Sequence, residues 1–291
     1  MFIYQAYGLR VHSEFKLFQF PVIDGKQDVL IRRGSVELDG VDKELPYPYL
    51  LHTPIKSILF FEGIGTFLVL HGREIVVNPL PDANESIVKR FLLGPAMAIL
   101  LYQRERLVLH GSGVCINGQG VLFLGGPGAG KSSLVAAHVS YGYPFIVDDV
   151  ASIELKDNIA WIYPGFPQIK LGPDIADLVT SNTNQFASID DFEDKKNILI
   201  NYELCPEKVP LKRIFVLMGD DGTHIERLNQ QRSVIEIVRY SIPPSSVKLN
   251  PRTHFDQCLE LAKCVRVYNL RRSRSLNDFP QLIQAVEDNS D

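Results

Sequence analysis

Gly125-Gly126-Pro127-Gly128-Ala129-Gly130-Lys131-Ser132 decides how this chain reads. It fits G-x-x-x-x-G-K-[ST] at every fixed position, a pattern that needs a strand before it and a helix after it. Val121-Leu122-Phe123-Leu124 is a continuous apolar run, as expected of a strand buried on both faces. Residues 131–140 read as a helix, with Gly142 as the residue just past its end. The glycines let the backbone curl so that successive N–H groups point inward, and the helix N-terminus adds a positive dipole end. The pattern predicts a phosphate cradle made of Gly126, Pro127, Gly128, Ala129, Gly130, Lys131, Ser132 and Ser133. In it Lys131 reaches the β- and γ-phosphates of ATP and Ser132 ligates Mg²⁺.

Outward from the loop, a strand at 144–147 runs into Asp148-Asp149, so one short helix and one short strand bring two acids back beside the loop. Adjacent carboxylates at a strand end divide labour: one holds Mg²⁺, the other takes a proton from an attacking hydroxyl. Asp148 is assigned to the metal and Asp149 is preferred as base, with Asp148 the second choice. On the other side, His110-Gly111 ends a strand at 107–110 just before the 121–124 strand, and Asn117-Gly118 marks a tight hairpin turn. If those strands pair, His110 lies near the phosphates and orients the acceptor. Phosphoryl transfer needs further positive charge. Lys170, Lys195, Lys196, Arg213 and the arginines of 271–274 are candidates, and Lys170 is preferred because an aromatic, Pro-rich strand at 161–167 precedes it.

The rest of the chain sets the frame. Its 291 residues predict about two domains, and 45% apolar with 22% charged residues is an ordinary globular composition. Residues 1–82 read as a small mostly-β domain with strands at 2–11, 29–33, 58–61, 66–70 and 74–78. Residues 83–106 read as a connecting helix capped by Asn84, and 107–291 as the nucleotide-binding domain. In the last of these, a hairpin is expected at 150–155 and 160–163 and strands at 213–218 and 265–270. Helices are expected near 173–180, 232–240, 255–263 and 276–287, and polar loops at 180–194 and 243–253. A net charge of −4 gives no global pull toward nucleic acid. The apolar run from Phe91 to Tyr102 holds Gly94 and Pro95 and falls short of the ~20 residues of a membrane span, so no membrane is expected as a partner. No signal-peptide pattern opens the chain, and Cys115, Cys205, Cys258 and Cys264 have no zinc or redox spacing. Reduced thiols and a cytoplasmic location are therefore expected.

His110-Gly111, the run from Val121 to Ser133 and the run from Gly142 to Asp149 together resemble the bacterial HPr serine kinases. The chain is most similar to the shorter HPr kinase-related proteins, some of which act in peptide-modification pathways such as lasso peptide maturation. Tyr4-Gln5-Ala6-Tyr7-Gly8-Leu9, Ser13-Glu14, the run from Tyr163 to Leu171, and Arg272-Ser273-Arg274-Ser275-Leu276 extend the likeness over most of the chain. The resemblance implies an α/β fold: a P-loop kinase core of the HPr kinase/phosphoenolpyruvate carboxykinase type behind a small mostly-β domain. It also implies an ATP- and Mg²⁺-dependent kinase that phosphorylates a hydroxyl, Ser, of a peptide or protein. The acidic pair serves metal and base, His110 sits near the acceptor, and self-association into a homo-oligomer is one outcome the family allows. The glycine-containing Arg-Gly-Leu-Gly-type run of the fuller HPr kinases is absent, which points to a one-way kinase without phosphorolysis. A small-molecule hydroxyl kinase on the same scaffold, or a nucleotide-binding regulatory module without turnover, are the alternatives.

Overall fold

The computed structural model describes residues 1–17, 25–37, 49–182, 185–192, 195–201, 204–205, 207–219, 222–242, 251–272 and 278–289. The chain is mixed α/β and divides into two compact units, Met1–Val108 with Ile242–Pro251, and Leu109–Ser241 with Arg252–Asp291.

The first unit is a sheet backed by one helical segment. Its strands are β1 (Phe2–Ala6), β2 (Leu9–Ser13), β3 (Val29–Arg33), β4 (Tyr49–His52), β5 (Lys56–Phe61), β6 (Gly65–Leu70) and β7 (Glu74–Pro79), in the order β1-β2-β3-β7-β6-β5-β4. The single strand expected over 2–11 is two strands. Tyr7 and Gly8 both take positive φ (57° and 71°), and such a pair makes the tight turn that suits a right-twisted hairpin. The helix expected as a connector belongs to this unit. It runs as α1 (Glu85–Phe91), a π turn over Leu92–Ala96, and α2 (Met97–Gln103). Pro95 cannot donate in the i→i−4 ladder, and the π turn absorbs the break without ending the helix. Leu92, Leu93, Ala96, Met97 and Leu100 are buried, and Phe91 packs its ring 4.2 Å from Phe61. Gln103 fastens the far end: its Oε1 accepts from Gly72 N (2.8 Å) and its Nε2 donates to Ser57 Oγ (2.9 Å).

In the second unit and at its border lie β8 (Leu107–Leu109), β9 (Gly111–Ile116), β10 (Gln119–Leu124), α3 (Lys131–Ser140), β11 (Phe145–Val147), β12 (Ala151–Lys156), β13 (Ile159–Ile162) and β14 (Gln168–Leu171). The chain continues through α4 (Pro173–Asn182), β15 (Phe186–Phe192), β16 (Lys195–Ile200), β17 (Val209–Gly219), β18 (His224–Arg227), α5 (Gln230–Arg239), β19 (Ser241–Ile242), α6 (Pro251–Cys264), β20 (Arg266–Arg272) and α7 (Phe279–Asp288). Strand β10 pairs parallel with β17, and β17 parallel with β20. Strand β9 runs antiparallel to both β10 and β11, so β11, β10, β17 and β20 all point the same way. Their side chains meet α3 and α7 in one core: Phe123, Phe215 and Tyr268 stack across three strands, with centroids 5.9 and 5.1 Å apart, among Leu134, Val135, Leu282 and Val286.

A separate three-stranded sheet, β14-β16-β15, carries part of the stretch expected as a polar loop at 180–194; the described part is the end of α4 and strand β15, paired to β16. Of the loop expected at 243–253, residues 243–250 lie outside the described residues, and α6 begins at Pro251. The start of the helix expected at 276–287 falls partly outside them too; the described helix begins at Phe279. All four cysteines are free thiols, Cys115, Cys205 and Cys258 buried and Cys264 half-buried. No described helix is long and apolar enough to cross a membrane.

Candidate functional site

Parallel strands present their carboxyl ends at one edge, and in open α/β sheets ligands collect there. The Gly-rich loop leaves that edge after Leu124, Asp148-Asp149 leave it after Val147, and Arg272 ends β20 on it. His110 reaches it from the opposite direction, because the hairpin register places Gly111 opposite Leu124.

Gly128 (φ 74°) and Gly130 (φ 88°) take left-handed backbone that a side chain disfavours, and Gly130 is the cap from which α3 starts. The first N–H groups of a helix have no partner within it, so the start of α3 offers donors to the loop's hollow. The Lys131 side chain folds back over the loop, donating to Gly125 O (2.9 Å) and Gly126 O (3.4 Å). Lys131 is buried, and burial lowers its pKa against the pull of Asp149 and Asp148.

The acidic pair is divided by its partners. Register places Val147 opposite Gly113, and the next residue, Asp148, meets Ser112. Asp148 Oδ1 accepts from Ser112 Oγ (2.5 Å) and Ser132 Oγ (2.9 Å), and its Oδ2 from the Lys170 backbone N–H (3.0 Å). Burial, reinforced by the neighbouring Asp149 charge, pushes the Asp148 carboxyl up to about 6. Asp149 sits at φ 67°, a left-handed conformation uncommon outside glycine and typical of strained functional positions. Its Oδ2 pairs with Lys170 Nζ at 2.7 Å. Burial alone would raise Asp149, but the Lys170 ammonium, with His110 and Lys195 nearby, outweighs it and holds the carboxyl down at about 2. The Asp149 carbonyl lies 3.1 Å from His110 Nδ1. A carbonyl only accepts, so Nδ1 carries the proton and Nε2 keeps its lone pair. Burial, then the Lys131 charge, lowers the His110 pKa and keeps the ring neutral.

Asp148, Asp149, His110, Lys131, Ser132 and Lys170 thus converge on one edge. The other cation candidates separate. Lys195 is close enough to act electrostatically on both Lys131 and Asp149. Lys196 is bound to Asp177 of α4 at 2.5 Å. Arg213 lies toward the opposite end of the strands, beside Val121 and hydrogen-bonded to Gln119 Oε1 (3.1 Å), so it is no phosphate contact. Arg271 is exposed opposite His224, and Arg274 lies outside the described residues. Arg272 is buried and donates from Nη2 to the Ala129 carbonyl at 2.8 Å. Ser112 was not singled out in the sequence reading. Counting back from the Asn117-Gly118 turn finds it, because a two-residue turn fixes the whole hairpin register.

No family model matches this chain, and no curated protein matches it in sequence. Among solved structures, the HPr(Ser) kinase/phosphatase from Coxiella burnetii is similar at a TM-score of 0.34 and 14% identity, over 63% of this chain and 95% of that one.

Proposed function

We propose that the second unit is an ATP- and Mg²⁺-dependent kinase that transfers the γ-phosphate to a hydroxyl, a Ser of a peptide or protein. One observation carries the reading: Ser132 of the Gly-rich loop and Asp148 after β11 share a hydrogen bond of 2.9 Å, while Asp149, one residue on, is paired with Lys170. Loop and acids therefore form one site. Ser132 Oγ and the Asp148 carboxylate are two hard oxygen ligands side by side, which suits Mg²⁺, an ion bound by one or two protein groups together with substrate phosphates. Among the described residues no cluster of three or more His, Cys, Asp or Glu side chains could hold a metal. When bound, Mg²⁺ supplies charge neutralisation between the phosphates.

The chain's own groups do the rest. Backbone N–H groups at the start of α3, with Lys131, hold the phosphates. Ser112 and the Lys170 N–H fix Asp148 so that it faces Ser132. Asp149 is the base for the acceptor hydroxyl, and His110 fixes that residue's strained backbone through its carbonyl. A phosphoryl group drawing Lys170 away from Asp149 leaves the carboxylate more basic at the moment it is needed. Phosphoryl transfer has a loose transition state, so the demand on the base is modest and positioning dominates. The peptide or protein nature of the acceptor rests on the sequence resemblance.

The test is Mg²⁺-dependent transfer of label from ATP to Ser-containing peptides, with Lys131→Ala and Asp149→Asn beside the wild type. Lys131→Ala is expected to weaken ATP binding and abolish transfer. Full transfer in that variant refutes the loop's role, and transfer to small alcohols in preference to peptides moves the reading to a small-molecule kinase.

A further inference from the structure

The end of β20 is tied to the Gly-rich loop across 143 residues of sequence. Its register, Gly219 opposite Arg272, carries Arg272 to the end of the neighbouring β17. There the guanidinium is 6% exposed, and Nη2 donates to the Ala129 carbonyl at 2.8 Å. It also lies against the bare face of the next residue: a Cβ at Gly130 would meet Nη2 at 1.8 Å and Cζ at 3.0 Å. Glycine is therefore required at 130 twice, by its φ of 88° and by the guanidinium.

A trans peptide points its C=O and its N–H in opposite directions. Holding the Ala129 carbonyl on one side consequently aims the Gly130 N–H to the other. A guanidinium is planar and rigid, so a bond to the carbonyl together with contact on the glycine face fixes the tilt of that peptide plane; a lysine ammonium, a point charge on a flexible stem, would not.

We propose that Arg272 is a positioning residue for the phosphate loop: from behind, it holds the Ala129–Gly130 peptide so that the Gly130 N–H faces the incoming phosphate. This inference rests on the kinase reading for its consequence, and on the contacts between Arg272 and the loop for its geometry. Two arms keep them apart.

The first arm is hydrogen exchange in the ligand-free protein, comparing wild type with Arg272→Met, which keeps the stem's bulk without donors, and Arg272→Lys. Exchange of the Ala129 and Leu134 amides, which close the loop on Gly126 O and Gly130 O, is expected to rise about tenfold or more in Arg272→Met, the loss of one hydrogen bond to a charged donor. The amides of β10 and of α3 beyond Leu134 should keep their protection, and Arg272→Lys should fall between. The second arm is steady-state kinetics. KM for MgATP is expected to rise about tenfold in Arg272→Met with kcat changed by less than about threefold, because the loop binds ground and transition states alike. Gly130→Ala should damage binding in the wild type and by less in Arg272→Met, where the clash with the guanidinium is gone and only the strain of its φ of 88° remains. Loop exchange that does not change overturns the proposal. So does a raised exchange with an unaltered KM, and so does loss of protection across the whole unit in both variants, which makes Arg272 a packing residue. A wild type that turns over no ATP refutes the kinase reading alone, and the exchange arm still judges Arg272.

Discussion

Lys170→Met should destabilise the protein most where Asp149 is charged. The Lys170–Asp149 contact is 2.7 Å, with 12% of the lysine side chain and 30% of the aspartate side chain exposed. Removing one partner of a fully buried ion pair costs about 3–5 kcal/mol, chiefly because a charge is stranded. Asp149 keeps some access to water, and the Lys195 charge remains near it, so about 2–3 kcal/mol is expected at neutral pH. Adding Asp149→Asn removes the stranded charge, and the double-mutant cycle should show a coupling of about 2 kcal/mol. The pH dependence has a definite sign. Lys170 holds the Asp149 carboxyl at about 2, below the ordinary value near 4, so the folded state releases a proton that the unfolded state keeps in that window. The pair's contribution is complete above about pH 4 and fades as pH falls toward 2, and the gap between wild type and Lys170→Met should narrow accordingly. Urea unfolding followed by fluorescence of Trp161, the chain's one tryptophan, reads this directly, because β13 lies in the same unit. A midpoint shift of about 1 M is expected at typical urea m-values. Additivity within about 0.5 kcal/mol at neutral pH, or a gap that does not change with pH, refutes the pairing.

Four further outcomes are expected. Asp148→Asn and Asp149→Asn should differ, the first raising the Mg²⁺ requirement and the second binding MgATP nearly normally while losing kcat. Near-normal kcat in both removes the base assignment. Asp148, held up at about 6, keeps in the fold a proton that the unfolded chain loses from about pH 4 upward. Wild-type stability should therefore fall across that window relative to Asp148→Asn, by about 1–3 kcal/mol in metal-free urea titrations, and parallel curves would refute it. Asn84 Oδ1 accepts from Ser86 N at 2.9 Å at the start of α1, so Asn84→Ala should cost about 1 kcal/mol, a drop of roughly 2–4 °C in Tm, and an unchanged melt refutes the cap. Phosphorylated acceptor incubated with phosphate and Mg²⁺ should yield no pyrophosphate, and robust release would overturn the one-way reading.

What the sequence made legible follows from short-range rules. The Asn117-Gly118 turn fixes Gly111 opposite Leu124, and with it the nearness of His110 to the loop. The phase of β20 was equally available: Tyr268 and Leu270 are apolar and Asn269 is polar, so even-numbered residues face in, and of two adjacent arginines Arg272 is the buried one. What remained hidden depends on pairing at a distance. Lys170 is the cation that the sequence favours, but its ties to the acids, the Lys170 N–H held by Asp148 and the ammonium by Asp149, do not follow from local pattern. Strand β15, with the sequence Phe186-Ala187-Ser188-Ile189-Asp190-Asp191-Phe192, has too little apolar alternation to be recognised as a strand; its partner β16 supplies the apolar run that makes it one. The helix expected from Asn84 runs on past Pro95 to Gln103; what local pattern did not show is the π turn at Leu92–Ala96 that lets it do so, because a π turn is a tertiary accommodation rather than a local preference.

The partners that the site's cations hold rank their availability to a phosphate. Lys131 leans on two neutral carbonyls of its own loop, Gly125 O and Gly126 O. A neutral carbonyl attracts an ammonium less than a polyanion does, so a polyphosphate displaces it readily. Lys170 is held by a carboxylate at 2.7 Å in a largely dehydrated setting, and only a group of comparable negative charge at close range competes for it. Arg272 is bound to a carbonyl behind the loop, where yielding would release the Ala129–Gly130 peptide that it orients. On the kinase reading, Lys131 is thus the group spent on binding and Arg272 the one that stays put. Lys170 changes partner only once charge has accumulated beside Asp149, which ties the strength of the base to arrival of the phosphoryl group. The strained backbone of Asp149, held by His110 through its carbonyl, keeps the carboxylate in place while that exchange occurs.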